Sequence, residues 1–111
     1  MAGTLLISDW VSTEVSSALS LKVRTGILDP FDRQLAAAMF RRQVEHIYTV
    51  VPITRDDYQS AARYADRYDL VLRAGDALHL AIAAAHDATL LTLDRRLHAA
   101  CLALGHPVET V

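Results

Sequence analysis

The sequence has few of the residues that mark specialised classes of protein. Among its 111 residues there is one cysteine, Cys101, so no disulfide can form within the chain, and we expect the reducing cytoplasm as its compartment. Its 4 glycines and 3 prolines are scattered, which excludes collagen-like and low-complexity chains. Because 52% of the residues are hydrophobic, the chain is not expected to be disordered. The length predicts a single domain over residues 1–111.

Long apolar runs and a charge excess are missing as well. The longest apolar runs, Leu35 to Phe40 and Leu80 to Ala85, are far shorter than the ~20 residues of a membrane span, so we expect no membrane partner. The first residues do not match a secretory signal. With 13 acidic and 11 basic residues the net charge is −2, which excludes a protein that coats nucleic acid through a general basic excess. A local basic patch remains compatible with nucleic-acid binding.

Helical and strand patterns alternate along the chain. We predict strands at 5–7, 48–53, 88–93 and 108–111, and helices at 9–25, 30–46, 54–68, 73–86 and 94–104. Asp9, Asp29, Thr54 and Asp94 are the predicted N-caps. Strands separated by helices are typical of an α/β fold with a parallel sheet. The apolar run at 88–93 predicts a strand buried on both faces.

Glu14 is the first of three carboxylates in unexpected places. On a helical wheel it falls within the apolar stripe of the first helix, which is formed by Val11, Val15, Ala18 and Leu21. A carboxylate that faces a core is costly unless it is paired, hydrogen-bonded or bound to a metal. The alternative is a glutamate at the rim of the core, whose charged head reaches water.

Asp76 and Asp94 are the other two carboxylates. Asp76 lies in the helix around 74–85, where Gly75 and His79 are the only other residues that are not apolar. Its alternative role is a first-turn aspartate that interacts with the helix dipole. Asp94 follows the apolar strand, and ligands of parallel α/β sheets bind beyond the carboxyl ends of strands. Its alternative role is a helix N-cap.

Three carboxylates that reach one place would suit a hard divalent cation. Magnesium is usually held by a few carboxylates, by waters and by substrate phosphates. Such a site activates water and stabilises the charge that develops on a phosphodiester. The sequence contains no HExxH, Walker or GxSxG motif that would indicate another chemistry.

Three segments carry a resemblance to a known family. The stretches ISDWVSTEVSSAL, RAGDALHLAIAAA and LLTLDRRL, in this order, resemble the PIN-domain family, in particular the VapC-type toxins of toxin–antitoxin pairs. The resemblance extends from Leu5 to about Val108. It implies a three-layer α/β/α fold with a parallel sheet, and an endoribonuclease that depends on Mg²⁺ or Mn²⁺. By the same resemblance Glu14, Asp76 and Asp94 are the catalytic metal ligands, and Thr92 supplies a hydroxyl near them.

The resemblance also implies partners, and the chain departs from the family pattern in one respect. The partners are an RNA substrate, a VapB-like antitoxin and a second copy of the chain. The family opens with a strand that ends in aspartate followed by Ser or Thr. Since no such segment precedes Leu5, we expect the N-terminal central strand, with its metal-binding aspartate, to be missing from this chain.

Three hypotheses therefore stand at the level of sequence. The first is a ribonuclease toxin. The second is a PIN-like module that has lost catalysis and keeps only its antitoxin-binding and dimerisation surfaces. The third is an unrelated α/β protein in which the carboxylates are only helix caps.

Overall fold

The computed structural model describes residues 3–111, which form five α-helices, four β-strands and a short 3-10 helix. The elements in chain order are β1 (Leu5–Ser8), α1 (Asp9–Arg24), α2 (Pro30–His46), β2 (Tyr48–Val51), α3 (Arg55–Ala65), the 3-10 helix (Tyr68–Leu70), α4 (Ala74–Ala85), β3 (Leu90–Thr92), α5 (Arg95–Leu104) and β4 (Val108–Thr110). The predicted α/β class and the order of the elements are confirmed. In this described part, no helix is long and apolar enough to cross a membrane.

Helix starts follow the side chains that the sequence places before them. Asp29 accepts a hydrogen bond from the Asp32 N–H at 2.8 Å, with Pro30 as the first helical residue. Thr54 and Asp57 form a reciprocal capping box, with hydrogen bonds of 3.1 and 2.9 Å.

The N-cap predicted for the first helix is wrong by one residue. Ser8 occupies the N-cap position of α1, and Asp9 is already the first helical residue. Ser8 keeps the extended backbone of β1, with φ −103° and ψ 168°, so the helix starts directly where the strand ends.

The strands form two parallel pairs. β1 pairs with β2, with Leu5 opposite Tyr48, and β3 pairs with β4, with Thr92 opposite Thr110. The chain divides into two compact units, one that ends at Pro52 and one that begins at Ile53. Each unit therefore contains one parallel pair together with the helices that pack on it.

The first unit packs α1 against α2 through a polar contact. Arg33 Nη2 donates hydrogen bonds to the Ser16 carbonyl at 3.1 Å and to Ser20 Oγ at 2.9 Å. No residue of either helix is buried. The prediction that the apolar stripe around Glu14 faces a core is therefore wrong at the far end of the stripe, where Leu21 is 53% exposed.

A second apolar stripe lies on α2 and faces solvent. Phe31, Leu35 and Met39 are spaced by four residues, so they share one helix face. Their exposed fractions are 66%, 51% and 63%. We call these three residues the α2 stripe.

The second unit holds the better-packed core. α4 contributes six buried residues, which confirms the burial expected from its nearly unbroken apolar sequence. Leu80, Leu97 and Cys101 form its central cluster. Cys101 is fully buried, and this burial raises the pKa of its thiol, so the cysteine acts as a small core residue.

The prediction for the strand at 88–93 is wrong in length and in burial. The strand covers only Leu90–Thr92, and Leu91 is 48% exposed. Leu90 packs against the Leu80 cluster, and successive side chains of a strand point to opposite faces. Leu91 must therefore face away from this core, and an unbroken apolar run does not by itself imply two covered faces.

Candidate functional site

Asp94 is held in a fixed position between β3 and α5. Its Oδ1 accepts hydrogen bonds from the N–H groups of Arg96 at 2.8 Å and Leu97 at 3.0 Å, so it is the N-cap of α5. Its own N–H donates to Thr92 Oγ1 at 3.0 Å. The predicted N-cap role of Asp94 is therefore confirmed, as is its position after a parallel strand, and its role as a metal ligand stays a prediction. Thr92 fixes the backbone of the turn.

The same contacts keep Asp94 ionised. The hydrogen bond from the Leu97 N–H, the bond from Arg96 and the positive charges of Arg73 and Arg96 lower the pKa of this carboxyl below its ordinary 3.8, against a smaller opposing effect of desolvation. The group is therefore an anion at neutral pH. Both cap bonds use Oδ1, so Oδ2 takes no part in the cap.

Asp76 lies in the first turn of α4 and is half-buried. Leu80 follows it by one helical turn on the same face, and Leu80 shares its core cluster with Leu97, which comes three residues after Asp94. Arg73, the N-cap residue of α4, is close enough to Asp94 to lower its pKa. In the second unit, α4 and α5 thus share the cluster of Leu80 and Leu97, and the residue before α4 acts on the charge of Asp94. One predicted carboxylate lies in the first turn of α4 and another caps α5.

Glu14 belongs to the other unit. It lies in the middle of α1, half-buried, on the same side of the helix as the half-buried Val11 and Val15. Its predicted role as a metal ligand stays a prediction.

A family model for the PIN domain matches residues 3–102. The chain belongs to the PIN-domain family. A comparison with curated proteins found no match. PIN domains are generally nucleases that use divalent metal ions. Because the chain belongs to this family, the hypothesis of an unrelated α/β protein is excluded, even though Asp94 does cap a helix.

Carboxylate oxygens, which this PIN domain offers at Asp94, are ligands of the kind that a divalent cation binds. Within residues 3–111, no group of three or more His, Cys, Asp or Glu side chains could hold a metal ion on its own. Magnesium, however, is commonly bound by one or two carboxylates that share it with waters and substrate phosphates. Asp94 provides an ionised oxygen donor outside its helix cap, and such a donor fits this kind of site.

Sequence reasoning missed the arginines that surround Asp94 in the PIN domain. Arg73 and Arg96 act on its charge, and Arg95 lies between Asp94 and Arg96. The signal in the sequence is the run Asp94-Arg95-Arg96. Two positive charges that act on one carboxylate indicate a local basic region, which a net charge of −2 does not reveal.

Proposed function

We propose that this PIN domain is a Mg²⁺-dependent endoribonuclease, a VapC-type toxin that cleaves RNA phosphodiester bonds in the cytoplasm. Asp76 and Asp94 are the proposed metal ligands, together with Glu14, directly or through water. Mn²⁺ is expected to replace Mg²⁺. The observation that carries this proposal is Asp94, an ionised carboxylate fixed at the end of a parallel strand beside the first turn of α4.

In this proposal, the residues that orient the metal ligand differ in role from those that attract the RNA. A divalent cation, when bound, would activate water and stabilise charge on the phosphodiester. The cap bonds from Arg96 and Leu97 hold Asp94 in one orientation, so no side-chain freedom is lost when it acts as a ligand. Arg73 and Arg96 supply positive charge that attracts the RNA backbone.

Replacing Asp76 by asparagine tests the catalytic assignment. Because asparagine has nearly the same size as aspartate and carries no charge, Asp76→Asn should abolish Mg²⁺-dependent RNA cleavage, measured on labelled RNA with and without EDTA. Asp66→Asn is the matched control, since Asp66 is an exposed aspartate at the end of α3. Unchanged cleavage by Asp76→Asn would overturn the assignment.

A second candidate function is a non-catalytic PIN module that keeps its binding surfaces. The α2 stripe supplies the surface that this function requires, because three large apolar side chains on one face suit a protein partner. A VapB-like antitoxin and a second copy of the chain are the proposed partners. Binding of the cognate antitoxin without any Mg²⁺-dependent cleavage, even at high protein concentration, would favour this function over the first.

The proposed dimer can be tested separately by changing a residue of the α2 stripe. Phe31→Ser removes the largest apolar group of the stripe and should shift the protein towards monomer in sedimentation velocity. Tyr68→Ser is the control, because Tyr68 is 91% exposed and lies outside the stripe. Identical sedimentation of wild type and Phe31→Ser would remove the stripe from the proposed interface.

A further inference from the structure

A cavity of about 470 Å³ opens beside Asp94 in the second unit. It lies where β3 and β4 end and where α5 begins. Its walls include Thr92, Leu93, Arg95, His98, Leu102 and Thr110. We call it the α5 cavity. Its volume is within the range of about 300–1,000 Å³ that is usual for small-molecule sites.

The polar wall of the α5 cavity suits an anion. Arg95 offers a planar guanidinium, which binds phosphate through paired hydrogen bonds. His98 is oriented by Thr110, whose Oγ1 lies 3.5 Å from Nδ1, and its other ring nitrogen takes no part in that contact. The N–H groups of Arg96 and Leu97 at the start of α5 are already bonded to Asp94, so recognition of an anion here is assigned mainly to these side chains.

The lining of the α5 cavity also includes apolar side chains. Leu93 is 75% exposed and Leu102 is 65% exposed, so both present side-chain surface to a ligand. A lining that contains both a guanidinium and leucine side chains matches a molecule that has a phosphate and a flat ring. A nucleotide has both.

We propose that the α5 cavity binds one nucleotide of the RNA substrate next to the bond that is cleaved. Arg95 and His98 contact its phosphate, and Leu93 and Leu102 contact its base or ribose. This inference rests on the proposed ribonuclease function and adds two positioning residues to it. The positive charge of Arg95 also offsets the repulsion between Asp94 and the phosphate.

Two measurements on the full chain test this inference. The first is a titration with 5′-AMP in EDTA, followed by NMR shifts of the backbone amides of residues 92–102. The second is steady-state RNA cleavage in Mg²⁺. Arg95→Ala should abolish the shifts and raise KM about tenfold, with kcat within about twofold, because a charge-assisted contact to substrate is lost.

Two further variants distinguish the position of Arg95 from its charge. Arg63→Ala removes another exposed arginine, from α3 and away from the α5 cavity, and should behave as wild type. Arg95→Lys keeps the charge and loses the paired geometry, so it should restore only part of the affinity.

The outcomes distinguish this inference from the function on which it rests. Cleavage by wild type with an unchanged KM in Arg95→Ala would overturn the nucleotide site and leave the ribonuclease proposal standing. Nucleotide shifts at residues 92–102 that Arg95→Ala abolishes, without cleavage by wild type, would support the site and overturn the ribonuclease proposal. Equal effects of Arg63→Ala and Arg95→Ala would also overturn the site, because they would indicate general charge attraction.

Discussion

Leu80→Ala should strongly destabilise the second unit. Leu80 has 0% exposure and forms the centre of a cluster with Leu97 and Cys101. Its truncation removes buried apolar surface and leaves a cavity between α4 and α5. For a leucine so completely buried, the expected loss in the free energy of unfolding is about 3 kcal/mol, within the range of about 2–5 known for such changes. This is a large part of the ~5–15 kcal/mol that stabilises an ordinary domain.

Urea unfolding, followed by circular dichroism, measures this loss. The midpoint should fall while the slope m stays constant, because the variant changes stability and not the surface exposed on unfolding. Leu21→Ala is the matched control, since the same atoms are removed from a helix position that is 53% exposed. Its cost should stay below about 1 kcal/mol, because only part of the side chain leaves water and alanine favours the helix.

The result also bears on the site. Leu80 follows Asp76 by one turn, and Leu97 follows Asp94 by three residues, so their cluster connects the two helices that carry these proposed ligands. Leu80→Met, which nearly conserves volume, should cost less than about 1.5 kcal/mol and preserve activity. If Leu80→Ala cost no more than Leu21→Ala, the packing of α4 on α5, and with it this connection between the two helices, would be refuted.

Further predictions concern helix ends. Asp94→Asn should keep the N-cap and lose only a little thermal stability near neutral pH while losing Mg²⁺-dependent cleavage, whereas Asp94→Ala should lose cleavage and melt at a still lower temperature. Because folding lowers the pKa of Asp94, its charge stabilises wild type over Asp94→Asn above pH 3.8, and melting curves should show this advantage vanish as the pH falls through the lower folded-state pKa. Thr54→Ala should cost about 1 kcal/mol in urea unfolding by breaking the capping box. Gly105→Ala should cost about 1 kcal/mol in the same assay, because Gly105 ends α5 with φ +72°.

The starts of α2, α3 and α5 were predictable because they depend on local chemistry, whereas α3 ends at Ala65, three residues before the predicted end. The bonds of Asp29, Thr54 and Asp94 to nearby N–H groups need only residues within three positions along the chain. Gly26 and Gly105 end helices with positive φ, and this too is a local property.

Burial was less predictable because it depends on what packs against an element. The wheel of α1 and the apolar run of β3 both indicated covered faces, yet Leu21 and Leu91 are about half exposed. Periodicity states which residues share a face, but not whether another element covers it. The α2 stripe was missed for the related reason that an exposed apolar face has the same pattern as a buried one.

The two roles of Asp94 support each other. From sequence, a helix cap and a metal ligand were competing explanations of this residue. The cap bonds engage Oδ1, lower the pKa of the carboxyl and fix its orientation. A ligand with these properties releases no proton at neutral pH when a cation binds, and it loses little conformational freedom. The cap therefore prepares Asp94 for the proposed metal role, and Asp94→Asn, which keeps the cap without the charge, separates the two.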